Sequence, residues 1–564
     1  MIIPTKSILL LFVSLAISTS ALIVPQPQST HVAVAAATPS NVKDGQTTYA
    51  GTCNGGICSW KGIRYASPPI GNQRFSPATS PAIVSGTIDA SNYGPKCLQS
   101  GGGQQSEDCL FANVFRPSSA SLNKKLPVLI FVHGGGFQSG SGSEHDPSKL
   151  ILAGGSDLEA VVVTINYRLG LFGFLGGSTF SKRQSQNRKD VTLNAAFTDV
   201  LQAINWSADH ISAFGGDPEN ITLWGQSAGS FASAAVMLRA HKTPKFKGVI
   251  LESGSPGGVP IDPASRKDGQ FNTVVSSAGC TGNPDIVGCL RGASASTLLQ
   301  ISNSQASLNG DPSTIPRGYY AWTAVQDGGP SNGGFFTDRP SQVINAGNFA
   351  NVPVLHGDCY DEGTYFAYQG SDNNQKTFDY FKRIYFDNDN LLQQALQQYP
   401  DDPVVGSPYL PHDGDYSNRF YGATNQYKRI ASLYGDIRYQ ANRRFFLNAV
   451  VNRGTTAYSY EFAQYTTGNA DSLGYPHGSD LNYVFNVQDG NPFGTKLARQ
   501  WLSFAKYQTP NKAGNGLPTW KKYKANSPKV LYYANNTITT IDDTFRKGPI
   551  DFLNRADVLA TSGR

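Results

Sequence analysis

Charge is scarce in this 564-residue chain: Asp, Glu, Lys and Arg together make up 15 % of it. That argues against a charged helical bundle, and the 59 glycines and 33 prolines point instead to long ordered loops between packed elements. The net charge of +6 is mild and dispersed. The densest basic stretch, SKRQSQNRKD (Ser181 to Asp190), contains an acid and no interleaved aromatics, so it reads as a solvated loop and no nucleic-acid partner is expected. No C-x-x-C pair or histidine cluster offers a metal site. A GK[ST] phosphate loop is also missing, and the one glycine-rich stretch after a strand has Ser139 where a dinucleotide fingerprint needs glycine. No apolar run is long enough to span a membrane, and the closing ATSGR is neither a retention signal nor a lipid-anchor tail.

What is present begins with MIIPTKSILLLFVSLAISTSA. Lys6, the apolar stretch Ile8 to Ile17 and small residues near Ala21 read as a signal peptide over residues 1–21, so the mature chain is expected to be secreted. Seven cysteines suit that compartment. Cys280 and Cys289 bracket a short loop, Cys97 and Cys109 bracket LQSGGGQQSED, and Cys53 and Cys58 enclose NGGI; each pair is expected to be a disulfide. Cys359 is left over. It reads either as a nucleophile or as an inert buried thiol, and burial is the commoner fate. Sequons at Asn205, Asn220 and Asn535 are candidate glycan sites, the first two near predicted core elements.

Short, nearly continuous apolar runs recur at Val128 to Val132, Ala160 to Ile165, Ile221 to Trp224, Gly248 to Leu251 and Val352 to Leu355. Such runs suit parallel strands buried on both faces. Helical spacing over Asn194 to Ala213 and Phe231 to Arg239 alternates with them, which predicts an α/β fold with a mostly parallel sheet. No repeat or linker divides the chain, so residues 22–564 read as a single domain with excursions at 257–350 and 370–436.

Chemistry collects where such strands end. WGQSAGS (Trp224 to Ser230) lies between an apolar run and a helix-like stretch, the context of a G-x-S-x-G nucleophile elbow presenting Ser227. A second match, Gly329-Pro330-Ser331-Asn332-Gly333, has neither flank and reads as a loop. The strand VLIFV runs into HGGGFQSGSG, whose side-chain-free peptides suit an oxyanion hole, with Gly135 and Gly136 as donors beside the N–H of Ala228. His133 is read as supporting that loop. An activated serine needs a base and an orienting acid. In the chain order of an α/β-hydrolase the acid follows the serine, and Glu362 in HGDCYDEGTYF is the candidate, with Asp358 and Asp361 as rivals. His412 and His477 alone follow both; His477 comes after a tyrosine-rich strand (Ala457 to Phe462), whereas His412 has no strand before it, so position favours His477.

These segments, with GIRYASPPIGNQRF, SEDCLFANVF, VVVTINYRLGLFGFL, GVILESGS and LARQWLSFAKYQTPN, resemble the type-B carboxylesterase/lipase family, which includes the cholinesterases and secreted fungal esterases and lipases. The resemblance covers nearly all of the mature chain. It implies an α/β-hydrolase fold and a cofactor-free serine carboxylic-ester hydrolase, with Ser227 as nucleophile, Glu362 as acid, His477 as base, Gly135, Gly136 and Ala228 as oxyanion donors, and Ser253 as a serine steadying the triad from behind. Two departures stand out. Gln226 replaces the glutamate that relatives carry before the nucleophile, and the Cys97–Cys109 loop has no aromatic residue, so a choline-binding site is not expected. The expected substrates are neutral short-to-medium-chain or aryl esters. A true lipase acting on long-chain glycerides or sterol esters is the alternative within enzymes, and a catalytically silent adhesion module is the alternative outside them.

Overall fold

The computed structural model describes residues 38–186, 190–305, 319–409, 420–465, 470–485, 492–514 and 516–564. The N-terminal segment read as a signal peptide, and His412, lie outside the described residues. A 13-stranded sheet organises the rest. From one edge its strands run Thr38–Asp44, Thr47–Asn54, Ile57–Arg64, Phe111–Pro117, Val161–Ile165, Leu126–Val132, Gly216–Gln226, Gly248–Glu252, Val354–Cys359, Ala457–Ala463, Lys529–Ala534 and Thr537–Asp542, with Gly86–Asp89 paired to the second of these. Pairing is parallel from Val161–Ile165 through to Lys529–Ala534 and antiparallel toward both margins, except that Gly86–Asp89 lies parallel to Thr47–Asn54. Apolar runs did not signal the antiparallel hairpins at the first edge, where Thr47–Asn54 alternates buried and half-buried residues.

The continuous apolar runs have a physical cause here. Val128, Ile130 and Val132 enter the core on one face of the sheet, and Leu129 and Phe131 enter the core on the other. Leu223 and Trp224 divide the same way, as do Leu251 and Ile250. Each central strand is thus covered by helices on both sides, including Ala195–His210 and Ala228–Arg239 on one face and Pro492–Tyr507 on the other. The strand ends differ from the apolar runs, most at Gly216–Gln226, which extends the run Ile221 to Trp224 both ways, and at the strand read over Val352 to Leu355. Pro353 has no N–H to give a ladder, and the strand begins at Val354 and continues to Cys359 through the polar residues His356 and Asp358. Those polar groups are buried because partners await them: Arg443 donates to Asp358 at 3.1 Å, and His356 Nδ1 lies 3.0 Å from the Leu251 carbonyl.

Three disulfides form between the expected partners, Cys53–Cys58, Cys97–Cys109 and Cys280–Cys289. The second GxSxG match is a short 3-10 turn, Pro330–Asn332, with no adjoining strand. Asn205 is half-buried in its helix, and Asn220 is held in a strand with its amide bonded to Lys506 and Gln508. Asn535 alone of the three is exposed, at the turn of the last hairpin. No described helix is long and apolar enough to cross a membrane.

Candidate active site

The Gly216–Gln226 strand ends one residue before Ser227, and the helix Ala228–Arg239 starts one residue after it. To make that reversal Ser227 adopts φ 53° and ψ −123°, a region L-residues seldom occupy. The strain is held by packing. Ser227 N–H donates to the Glu252 carbonyl at 2.9 Å, and its own carbonyl accepts from Phe231 at 3.0 Å. The two flanking glycines are needed for space. A Cβ on Gly225 would lie 2.2 Å from the Gly229 carbonyl oxygen, and one on Gly229 would lie 1.9 Å from that of Val132. The second figure shows the elbow packed backbone to backbone against the strand that carries the glycine loop.

In that loop Gly135 and Gly136 both take positive φ, 102° and 63°. Their N–H groups have no acceptor among the described residues, and Ala228 opens a helix, where N–H groups also point outward and the helix dipole favours negative charge. Tyr320 closes over Gly136, with its ring 2.5 Å from where a Cβ would stand. His133 is buried; its Nδ1 lies 2.8 Å from the Gly134 carbonyl, its ring stacks on Tyr167, and burial lowers its pKa to about 4. It braces the loop.

Three carboxyl groups compete for the acid position, and their partners distinguish them. Asp358 faces Arg443, which also binds Glu461 and Asp543 in a buried cluster. Asp361 accepts from Ser407 Oγ at 2.7 Å and from the N–H groups of Tyr409 and Tyr475, both at 3.1 Å, and so ties loops together. Glu362 faces His477, with Oε2 2.5 Å from Nδ1, while its Oε1 accepts from Cys359 N–H at 2.7 Å. The Ser253 hydroxyl, in a fully buried residue with φ 52°, favours the ionised form of the same carboxyl. Burial opposes that ionisation and raises the Glu362 pKa, and burial also disfavours a charge on His477 and lowers its pKa. The uncharged imidazole is thus favoured, and an Nδ1–H given to Glu362 leaves the lone pair at Nε2.

Phe366 and Tyr439 flank the His477 ring at 5.3 and 4.8 Å between centroids. Cys359 is fully buried, its thiol 3.6 Å from Asp480 Oδ1, and burial pushes its pKa well up, which makes it a poor nucleophile. The Cys97–Cys109 loop is pinned to the glycine loop: Gln99 accepts from Gly140 N–H at 2.8 Å and donates to the Gly140 carbonyl at 3.0 Å. Sequence reasoning passed over Asp480, Tyr320 and Tyr439. Asp480 sits three residues after His477 and was open to notice; the two tyrosines reach the site only through long-range packing.

Known proteins resemble this chain along most of its length. Residues 41–553 match the model of the Carboxylesterase family. Secreted lipase 1 of Botryotinia fuckeliana is 30 % identical over 558 residues, covering 92 % of this chain and 93 % of that protein. The para-nitrobenzyl esterase of Bacillus subtilis is 34 % identical over 355 residues, covering 58 % and 64 %. Among solved structures, Aspergillus niger EstA superposes with a TM-score of 0.79 at 26 % identity, covering 93 % of this chain and 99 % of its own.

Proposed function

The chain belongs to the carboxylesterase family, and on that premise we propose that it is a secreted serine esterase working through Ser227, His477 and Glu362. The observation that carries the reading is the Glu362–His477 hydrogen bond, formed beside a strained serine that faces a loop with unused N–H donors. His477 Nε2 takes the Ser227 proton as Oγ attacks the ester carbonyl. Gly135, Gly136 and Ala228 donate to the oxygen that becomes negative. Glu362 holds the ring with Nδ1–H toward it and stabilises the imidazolium. The imidazolium then protonates the departing alcohol, and water, deprotonated by the same nitrogen, releases the acid and restores Ser227. Ser227→Ala should abolish turnover of p-nitrophenyl butyrate and labelling by a fluorophosphonate while leaving the melting curve unchanged. Retained turnover would sink the assignment.

We further propose neutral, short-to-medium-chain or aryl esters as substrates. The Cys97–Cys109 loop offers one leucine, too little apolar surface to make opening onto an oil droplet favourable, and Gln99 fastens it to Gly140. The relatives named lipases support a second reading, lipid esters. Rates across the solubility limit of tributyrin separate the two: smooth saturation supports an esterase, and a sharp rise at the limit supports a lipase.

A further inference from the structure

Resting on the reading of Ser227, His477 and Glu362 above, we propose that Gln226 is a positioning residue that holds His477 Nε2 in its uncharged, proton-accepting form and so extends activity toward acid pH. Gln226 is the last residue of its strand and is almost wholly buried. Its amide nitrogen lies 3.5 Å from His477 Nε2, a long hydrogen bond to that nitrogen. The amide is wedged in place. A Cβ on Gly134 would lie 2.4 Å from its Oε1, and a Cβ on Gly478 would lie 3.3 Å from its Nε2. One side chain therefore touches the glycine loop, the elbow and the loop that carries the base.

The chemistry follows from which atoms meet. With Nδ1–H given to Glu362, Nε2 carries the lone pair, and an amide N–H is a donor suited to it. Protonating Nε2 sets N–H against N–H. Relief would require the amide to turn its oxygen to the ring, and that oxygen is lodged against Gly134. The other charged groups facing His477 are Glu362, Asp480 from the helix Ser479–Phe485, and Arg438; the two acids favour the imidazolium, and Arg438 opposes it. Phe366 and Tyr439 contribute ring faces. A carboxylate at position 226 would add a third acid next to Nε2 itself, and the base would then be neutralised by a proton at higher pH.

The test is the pH dependence of kcat/KM for p-nitrophenyl butyrate in the full-length secreted enzyme. Active sites are titrated with a fluorophosphonate, and p-nitrophenol is read after an alkaline quench. Gln226→Glu should move the midpoint of the acid limb upward by about one to three pH units, as an opposite charge within a few ångströms does. Gln226→Met keeps the bulk, loses the donor and carries no charge, so it should move the midpoint the same way by less. That variant also decides the matter if the glutamate is not tolerated. Acid limbs that superimpose on the wild type in the variants that fold overturn the proposal. Ser227→Ala run beside them keeps the two ideas apart: turnover without Ser227 defeats the underlying reading, whereas an inactive Ser227→Ala with unmoved acid limbs defeats only the role of Gln226.

Discussion

Gly229→Ala adds one methyl group to the densest backbone contact of the site. The new Cβ would stand 1.9 Å from the Val132 carbonyl oxygen, 2.5 Å from its carbon and 2.6 Å from the His133 carbonyl oxygen. Ordinary contact starts at 3.4 Å, so the elbow and the Leu126–Val132 strand must separate by about 1.5 Å. Neither side is a flexible side chain that can swing away. Overpacking of this kind costs roughly 1–3 kcal/mol of stability. The kinetic cost is larger, because the opening separates Ser227 and Ala228, on the elbow, from Gly135 and Gly136, beyond the strand. Misplacement by an ångström costs about 10²-fold, and loss of one oxyanion donor costs about 10²–10³-fold. We expect kcat for p-nitrophenyl butyrate to fall by about 10²–10³-fold. Because the lost contacts belong to the transition state, kcat/KM should fall in step. Gly269→Ala, in a helix and with no atom within 4 Å of its Cβ position, is the control and should leave kcat unchanged. A Gly229→Ala enzyme within about threefold of wild-type kcat would refute the argument from close packing.

His477→Ala should lose activity by several orders of magnitude while His412→Ala retains it; a folded but inactive His412→Ala would reverse the assignment of the base. Butyrylcholine should be cleaved no better than a neutral butyrate ester of equal size, measured as kcat/KM, because an amide stands at Gln226 where a carboxylate could contribute about 1 kcal/mol or more toward a quaternary ammonium. Burial lowers fully buried His356 from 6.5 to about 3. Between these values the unfolded chain binds a proton that the native state does not, so this residue's contribution is whole above pH 6.5 and falls toward pH 3, by up to about 1.4 kcal/mol per pH unit. Taken from about pH 7 to about pH 5, the wild type should therefore lose more in Tm than His356→Gln; an equal or smaller loss would contradict that sign.

The features legible in the sequence are those that a few neighbouring residues settle among themselves. A serine two positions from a glycine on each side, between a β run and a helix former, suits an elbow, and Ser227 has a φ of 53°. The disulfides span separations of 5, 9 and 12 residues, so proximity along the chain paired them. Apolar runs revealed the central strands because burial on both faces leaves no position for a polar residue. The same logic ended the Val354–Cys359 strand too early, at Leu355, since His356 and Asp358 are satisfied by partners that no local pattern announces.

Sheet order decided the remainder. The strands ending near Ser227, Glu362 and His477 lie in one parallel series, which brings together side chains 115 to 251 positions apart in the chain. Proximity of candidate acids to one another in the sequence could not separate Asp358, Asp361 and Glu362. Arg443 claims the first, Ser407 and two backbone N–H groups claim the second, and the third is left to meet the imidazole. The contact between Gln226 and His477 has the same origin. The sequence by itself determined which residue types are present and how the chain must turn at each, because sterics act over a few bonds; which of them touch was decided by tertiary packing, because hydrogen bonds and charges act only between groups the fold has already brought within a few ångströms.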